Sequence, residues 1–126
     1  MLETKPNESK RSSKRFDLED RTLAFAKRVR DFIKRLPNSL ANIEDGKQVI
    51  RSSGSVGANY IEANESLSKK DFILRIKICR KEAKETGYWL KLLDIQSEQV
   101  EKERKDLVQE STELTKIFGA ILQKSQ

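Results

Sequence analysis

Apolar residues return every three or four positions along most of this chain, in four successive stretches separated by short polar breaks. In the first, Phe25, Val29, Phe32, Ile33 and Leu36 share one side of a helix. The pattern starts that helix after Asp17, a good N-cap with Asp20 in the first turn, and Pro37 stops it. A second start falls at Asn38-Ser39, and Leu40, Ile43 and Ile50 carry the apolar pattern onward. The third is announced by Ser68 and Asp71 as a capping-box pair, with Leu67 and Phe72 placed as a hydrophobic staple. Phe72, Ile76, Cys79, Ala83, Thr86, Leu90 and Leu93 then alternate steps of four and three, the period of helices packed lengthwise. Beside them Ile78, Trp89 and Leu92 form a second stripe interrupted by Glu82 and Glu85, so the apolar surface is wider than one seam needs. The fourth starts near Ser97. There Val100, Leu107, Leu114 and Ile121 recur every seven residues, Ser111, Ile117 and Phe118 fill in, and the helix frays at Gln123-Lys124. Each segment has roughly 20 to 28 residues, hence about 30 to 40 Å at 1.5 Å per residue. Similar lengths and short connections predict an all-α, antiparallel up-down-up-down four-helix bundle over residues 16–123.

The stretch RSSGSVGANY, residues 51–60, resists that reading, because serines and glycines oppose a helix. It is not a Walker loop, which needs Gly-Lys-Ser/Thr after the first glycine and four residues, nor a Gly-x-Gly-x-x-Gly dinucleotide fingerprint. Gly54 and Gly57 match a Gly-x-x-Gly RNA clamp only superficially, since no strand pattern flanks them. As helix the stretch is orderly: Val49, Ser53, Val56, Tyr60 and Ala63 make one stripe, and Ile50, Gly54, Gly57, Ile61 and Asn64 the next. Each glycine then costs about 0.8 to 1 kcal/mol relative to Ala. Close approach of another helix across Ser53, Gly54 and Gly57 is the expected compensation.

With 126 residues the chain suits one domain. Only five Gly and two Pro, with 37% charged residues, favour long helices over a sandwich or barrel. The sequence has no histidine, which removes the commonest general base and metal ligand; a di-iron carboxylate site wants Glu-x-x-His pairs. No catalytic residue, metal, cofactor or small-molecule substrate is therefore expected. Cys79, the single cysteine, is expected to be buried and inert. No apolar run approaches about 18 residues, and Met1-Leu2-Glu3-Thr4-Lys5 does not open a secretory signal, so a cytoplasmic protein away from membranes is expected.

Net charge is +6, but residues 1–15 hold five basic residues against two acidic ones, so half of that excess sits in a segment expected to be a disordered basic tail. In the body, Lys77, Lys81, Lys84, Tyr88 and Lys91 form a basic row with one aromatic in it. Lys27, Arg30 and Lys34 form another, with Arg28 and Arg35 alongside. Such rows suit phosphates read without sequence, or they simply coat a helix exterior. Arg51, Asn59, Glu62, Glu82 and Glu85 are polar residues on or beside the apolar stripes. They are expected to form a structural network in which Arg51 pairs with Glu82 or Glu85.

Gln48-Val49-Ile50-Arg51-Ser52, the run Ser55 to Ala63, Asp71-Phe72, Lys81-Glu82-Ala83, Glu85-Thr86 and Tyr88-Trp89-Leu90 closely resemble the bacterial four-helix-bundle proteins encoded in intervening sequences of 23S ribosomal RNA genes. The resemblance covers about residues 20 to 122. That family is similar to the accessory variability protein of diversity-generating retroelements, a basic homopentamer that binds nucleic acid and a reverse transcriptase. The resemblance thus implies a non-enzymatic oligomeric scaffold, a pentamer joined through the second apolar stripes, contacting RNA or DNA through its basic surface. The alternative is a protein-interaction bundle, for instance a partner of a nucleic-acid enzyme, with no nucleic-acid binding of its own. One departure stands out: many members read Asn-Ile-Ala-Glu-Gly where this chain reads Asn59-Tyr60-Ile61-Glu62-Ala63. Asn64, which tolerates a left-handed backbone, is expected to take over the helix-ending role of that glycine.

Overall fold

The residues described are 6–126 in backbone and 17–126 in side chain. In this computed structural model they form four helices, α1 (Pro6–Lys34), α2 (Leu40–Asn64), α3 (Lys69–Leu92) and α4 (Glu98–Ser125). The basic tail expected over residues 1–15 lies outside the residues whose side chains are described. The backbone is already helical from Pro6, so Asp17, expected to cap the first helix, sits inside it.

The other three helices begin where local chemistry places them. Ser39, Ser68 and Ser97 each sit in extended backbone, and each hydroxyl accepts from the N–H three residues on, at Asn42, Asp71 and Val100. Each cap satisfies one of the donors a helix start leaves without a partner. The staple expected beside Ser68 is absent, because Leu67 is fully exposed while Phe72 packs against the core. Asn64 is not left-handed either, and no described residue has positive φ. The α2 helix instead tightens at Glu65, φ −98° and ψ 5°, whose N–H reaches the carbonyls of Ile61 and Glu62 at 3.2 Å. Ser66 adds a hydroxyl bond to Ala63 O at 2.7 Å, so the last carbonyls are satisfied without a glycine.

Neighbouring helices run antiparallel around a closed ring of four seams, α1 with α2, α2 with α3, α3 with α4, and α4 with α1. Pairs across the seams show the direction. Along the α2–α3 seam Asn59 meets Arg75, Val56 meets Cys79 and Ser52 meets Thr86, so one chain direction rises as the other falls, and Arg35 at the end of α1 meets Glu103 near the start of α4. The core inside is Phe25, Val29 and Phe32 from α1, Val49, Val56 and Tyr60 from α2, Ile76, Cys79 and Leu90 from α3, and Leu107, Leu114 and Phe118 from α4. These are largely the residues that the periodic spacing picks out. The exceptions include Leu40 and Ile43 of the opening α2 pattern and Ile61 and Leu92 of the second stripes, which are exposed. Asn42 and Gly46 take the inward positions at the start of α2. The Asn42 amide donates to Pro37 O at 3.1 Å and Asp94 O at 3.0 Å, and its oxygen accepts from Asp94 N at 2.7 Å. One side chain thereby ties the α1–α2 loop to the α3–α4 loop.

RSSGSVGANY is helix, in the middle of α2. A Cβ added at Gly57 would stand 2.9 Å from Thr22 Oγ1 on α1, so close approach is real there. At Gly54 the same test meets nothing within 4 Å, and the close packing expected at that residue is absent. Both glycines face the α1 side, one turn apart, but α1 touches α2 at Gly57, while Gly54 lines the open groove between the two helices. The contact with α3 is made instead by Ser52, fully buried beside the expected Ser53, with its hydroxyl 2.8 Å from that of Thr86.

Candidate nucleic-acid interface

Charge is sorted by direction on α3. Glu82 and Glu85 turn toward α2, where Arg51 lies 3.4 Å from one carboxylate and 3.8 Å from the other. Lys77, Arg80, Lys81 and Lys84 turn the other way and, with Lys116, Thr115 and Gly119 of α4, line an open groove of about 940 Å³. Five cations face this groove, and none of its described lining residues carries a carboxylate side chain. None of the five makes a hydrogen bond or ion pair among the described residues. Elsewhere cations are paired, Arg21 with Glu110 and Arg35 with Glu103 across the α1–α4 seam and Arg104 with Glu101 within α4. Hydrogen bonding to Glu110 is the largest cause of the raised pKa of Arg21. The groove thus gathers positive charge that the fold itself does not use.

Gly119 gives the groove its depth. A Cβ there would lie 3.7 Å from Arg80 Nε and 3.9 Å from its Cζ, so the guanidinium rests across bare backbone. Held flat, it presents a planar donor fork of the kind that suits phosphate oxygens. Arg80, Thr115, Lys116 and Gly119 are not among the residues picked out from the sequence. Arg80 stands one turn from Lys77 and was legible as part of the same face. Lys116 lies on another helix, and no local spacing relates it to α3.

The remaining basic residues do not converge here. Lys91 is exposed on the row of Lys77, Lys84 and Tyr88 but lies beyond the groove. Lys27 and Arg30 line a separate groove of about 560 Å³ between α1 and α2, with Glu19 and Asp20 also on its walls. Lys34 is exposed near the end of α1 and lines neither groove. Since α1 and α3 share no seam, the two basic rows sit on different sides of the bundle.

Of the expected polar network, most members interlock. The Glu82 side chain is 7% exposed, and its Oε2 makes no hydrogen bond although Arg51 is near, so the pair is held by charge. Asn59 donates to Ser55 O and Oγ at 2.9 and 3.0 Å and accepts from Arg75 at 3.1 Å, linking α2 to α3. The Glu62 side chain is exposed, makes no ion pair or hydrogen bond among the described residues, and stays outside the network. The Cys79 thiol donates to Val56 O at 3.4 Å, and burial pushes its pKa up to about 12. Tyr60 packs against Phe118 with centroids 5.8 Å apart, and the rings of Tyr88 and Trp89 stand nearly perpendicular with centroids 5.3 Å apart. No group of three His, Cys, Asp or Glu among the described residues is placed to hold a metal ion. No described helix is long and apolar enough to cross a membrane.

Comparison with known proteins places this geometry in a family. The family model described as 23S rRNA-intervening sequence protein matches residues 14–120. Among solved structures, the chain is 36% identical, with a TM-score of 0.72, to a protein of unknown function from the S23 ribosomal protein family of Bacteroides thetaiotaomicron VPI-5482. The likeness covers 82% of this chain and 96% of that one. No curated protein matches the chain.

Proposed function

The chain belongs to the 23S rRNA-intervening sequence protein family; from that membership and the groove between α3 and α4, we propose that it is a non-enzymatic scaffold that contacts RNA or DNA through that groove. The observation that carries the reading is the gathering of Lys77, Arg80, Lys81, Lys84 and Lys116 with no carboxylate side chain among the described residues lining the groove. Cations that the fold leaves unpaired and gathers in one groove are available to a polyanion, which releases counterions on binding. Lys27, Arg30, Lys34 and Lys91 add general positive field without a shared site.

The scaffold self-associates, as a pentamer, through apolar positions the monomer leaves open. Leu23 and Ile61 flank the α1–α2 groove, whose floor holds the small residues Ala26, Gly54 and Ala58, and Leu92 is exposed on the second stripe of α3. Repetition of a weak basic groove around a closed assembly raises its effective affinity for a long strand.

The test is retention of labelled RNA at low and at high salt, by the wild type and by a variant with Lys77, Lys81 and Lys84 all changed to Glu. Strong retention at low salt, lost at high salt and lost in the variant with its helicity intact, supports the groove. Absence of binding at low salt would leave a protein-interaction bundle whose basic surface only keeps it in solution.

A further inference from the structure

One exposed aromatic belongs to the cation row and takes no part in the core. Tyr88 follows Lys84 by four residues and precedes Lys91 by three, so all three share one side of α3. It is 60% exposed, so the ring is open to a partner. It stands nearly perpendicular to Trp89, at a centroid distance of 5.3 Å and an interplanar angle of 80°, and Trp89 itself packs against the core. Continuing from Lys77 to Lys91, the row runs about 21 Å at 1.5 Å per residue.

A groove of cations that follows a backbone, next to an aromatic platform, is the arrangement that takes unpaired nucleotides, since a base can stack only when it is free of its partner strand. A duplex would present phosphates to the lysines and leave Tyr88 nothing to stack on. Resting on the reading of the groove as a nucleic-acid site, we infer that this surface selects single-stranded nucleic acid, with Tyr88 stacking one unpaired base while Lys77, Arg80, Lys81, Lys84 and Lys91 hold the adjoining phosphates. Trp89, the only tryptophan of the chain, reports on that stack because it touches Tyr88.

The experiment titrates the full chain with a short mixed-sequence RNA, the DNA of the same sequence, and the duplex of each. Anisotropy of the labelled strand and Trp89 fluorescence are both followed. The expected result is tighter binding of both single strands than of either duplex, with a change in Trp89 emission only for the single strands. Tyr88→Ala should weaken single-strand binding about 5- to 150-fold and leave the duplexes unchanged, while Tyr88→Phe restores the wild-type value. Preference for RNA over DNA would add a contact to the 2′-hydroxyl within the same site. Equal binding of single strands and duplexes, or a Tyr88→Ala variant that binds like wild type, overturns the inference. If the Lys77, Lys81 and Lys84 reversal still abolishes binding in that case, the groove survives as a phosphate site. A Tyr88→Ala variant with altered native mass but unchanged strand binding would equally overturn it, assigning the ring to a contact between proteins.

Discussion

Two glycines on facing sides of the bundle behave oppositely when a methyl group is added. At Gly87 a Cβ would stand 2.5 Å from Ser111 Oγ, and that hydroxyl is already committed to Val108 O at 2.9 Å. Gly87→Ala therefore gains about 1 kcal/mol of helix propensity and loses more in overpacking, typically about 1 to 3 kcal/mol. A net loss is expected, and adding Ser111→Ala to Gly87→Ala should recover much of it. Gly54→Ala meets open space and should stabilise by about 1 kcal/mol. Urea midpoints of the three variants, with unchanged slopes, check both statements. Cys79 offers a test through pH. In the unfolded chain its thiol ionises from an ordinary value of 9.0, and burial delays this to about 12 in the folded chain. Between those values the unfolded state has lost a proton that the folded state retains, so this residue makes stability fall as pH rises. The stability advantage of wild type over Cys79→Ala should shrink by about 1 kcal/mol between pH 9 and pH 10. A constant difference across that range would mean the thiol is solvated.

At the scale of the elements, the ends of the helices divide into those set locally and those set from far along the chain. Ser39, Ser68 and Ser97 bond within three residues, so a reader of the sequence finds them. Asn42 bonds to Asp94, fifty-two residues away, and nothing near it in the sequence announces the partner. Asn42→Ala should leave Pro37 O and both backbone groups of Asp94 without their protein partner, costing about 1 to 3 kcal/mol. Hydrogen exchange should then quicken at both loops of that end and not at the Leu67 end. The same distinction explains what was legible. The inward stripe of α3 follows from spacing alone, because Ile76, Cys79, Ala83, Thr86 and Leu90 repeat over many turns. Leu40 and Ile43 were misread because the loop-tying Asn42 claims the inward position of a short pattern. Gly57 was legible and Gly54 was not, since both share the face toward α1 and spacing does not say at which turn the two helices touch and at which they leave a groove. For the groove, one wall was visible as a lysine row, and the other, Lys116 with Gly119, required the pairing of α3 with α4.

Over the whole molecule, positive charge is divided between cations that bind helices together and cations that bind nothing within the monomer. Arg21 forks onto Glu110 with two bonds of 2.8 Å across the α1–α4 seam, the slimmest of the four, and Arg51 reaches Glu82 across the seam of α2 with α3. The groove cations have no such duty. This division makes the salt dependence of binding a count of groove contacts. If all five cations meet phosphates of a single strand, the logarithm of affinity should fall with that of salt at a slope near about −3.5 for one protomer. Reversal of Lys77, Lys81 and Lys84 together should flatten the slope by about 2 or more, whereas Lys27→Glu, on the other side of the bundle, should leave it nearly unchanged. Assembly enters the same measurement. Light scattering of the purified chain should give several times 14.6 kDa, and a strand long enough to cross several protomers should bind far more tightly than one short enough for a single groove. An added charge at the open apolar face, Ile61→Glu, should lower the mass and remove the advantage of the long strand while sparing the short one. Loss of short-strand binding in that variant would instead place the nucleic acid on the α1–α2 face.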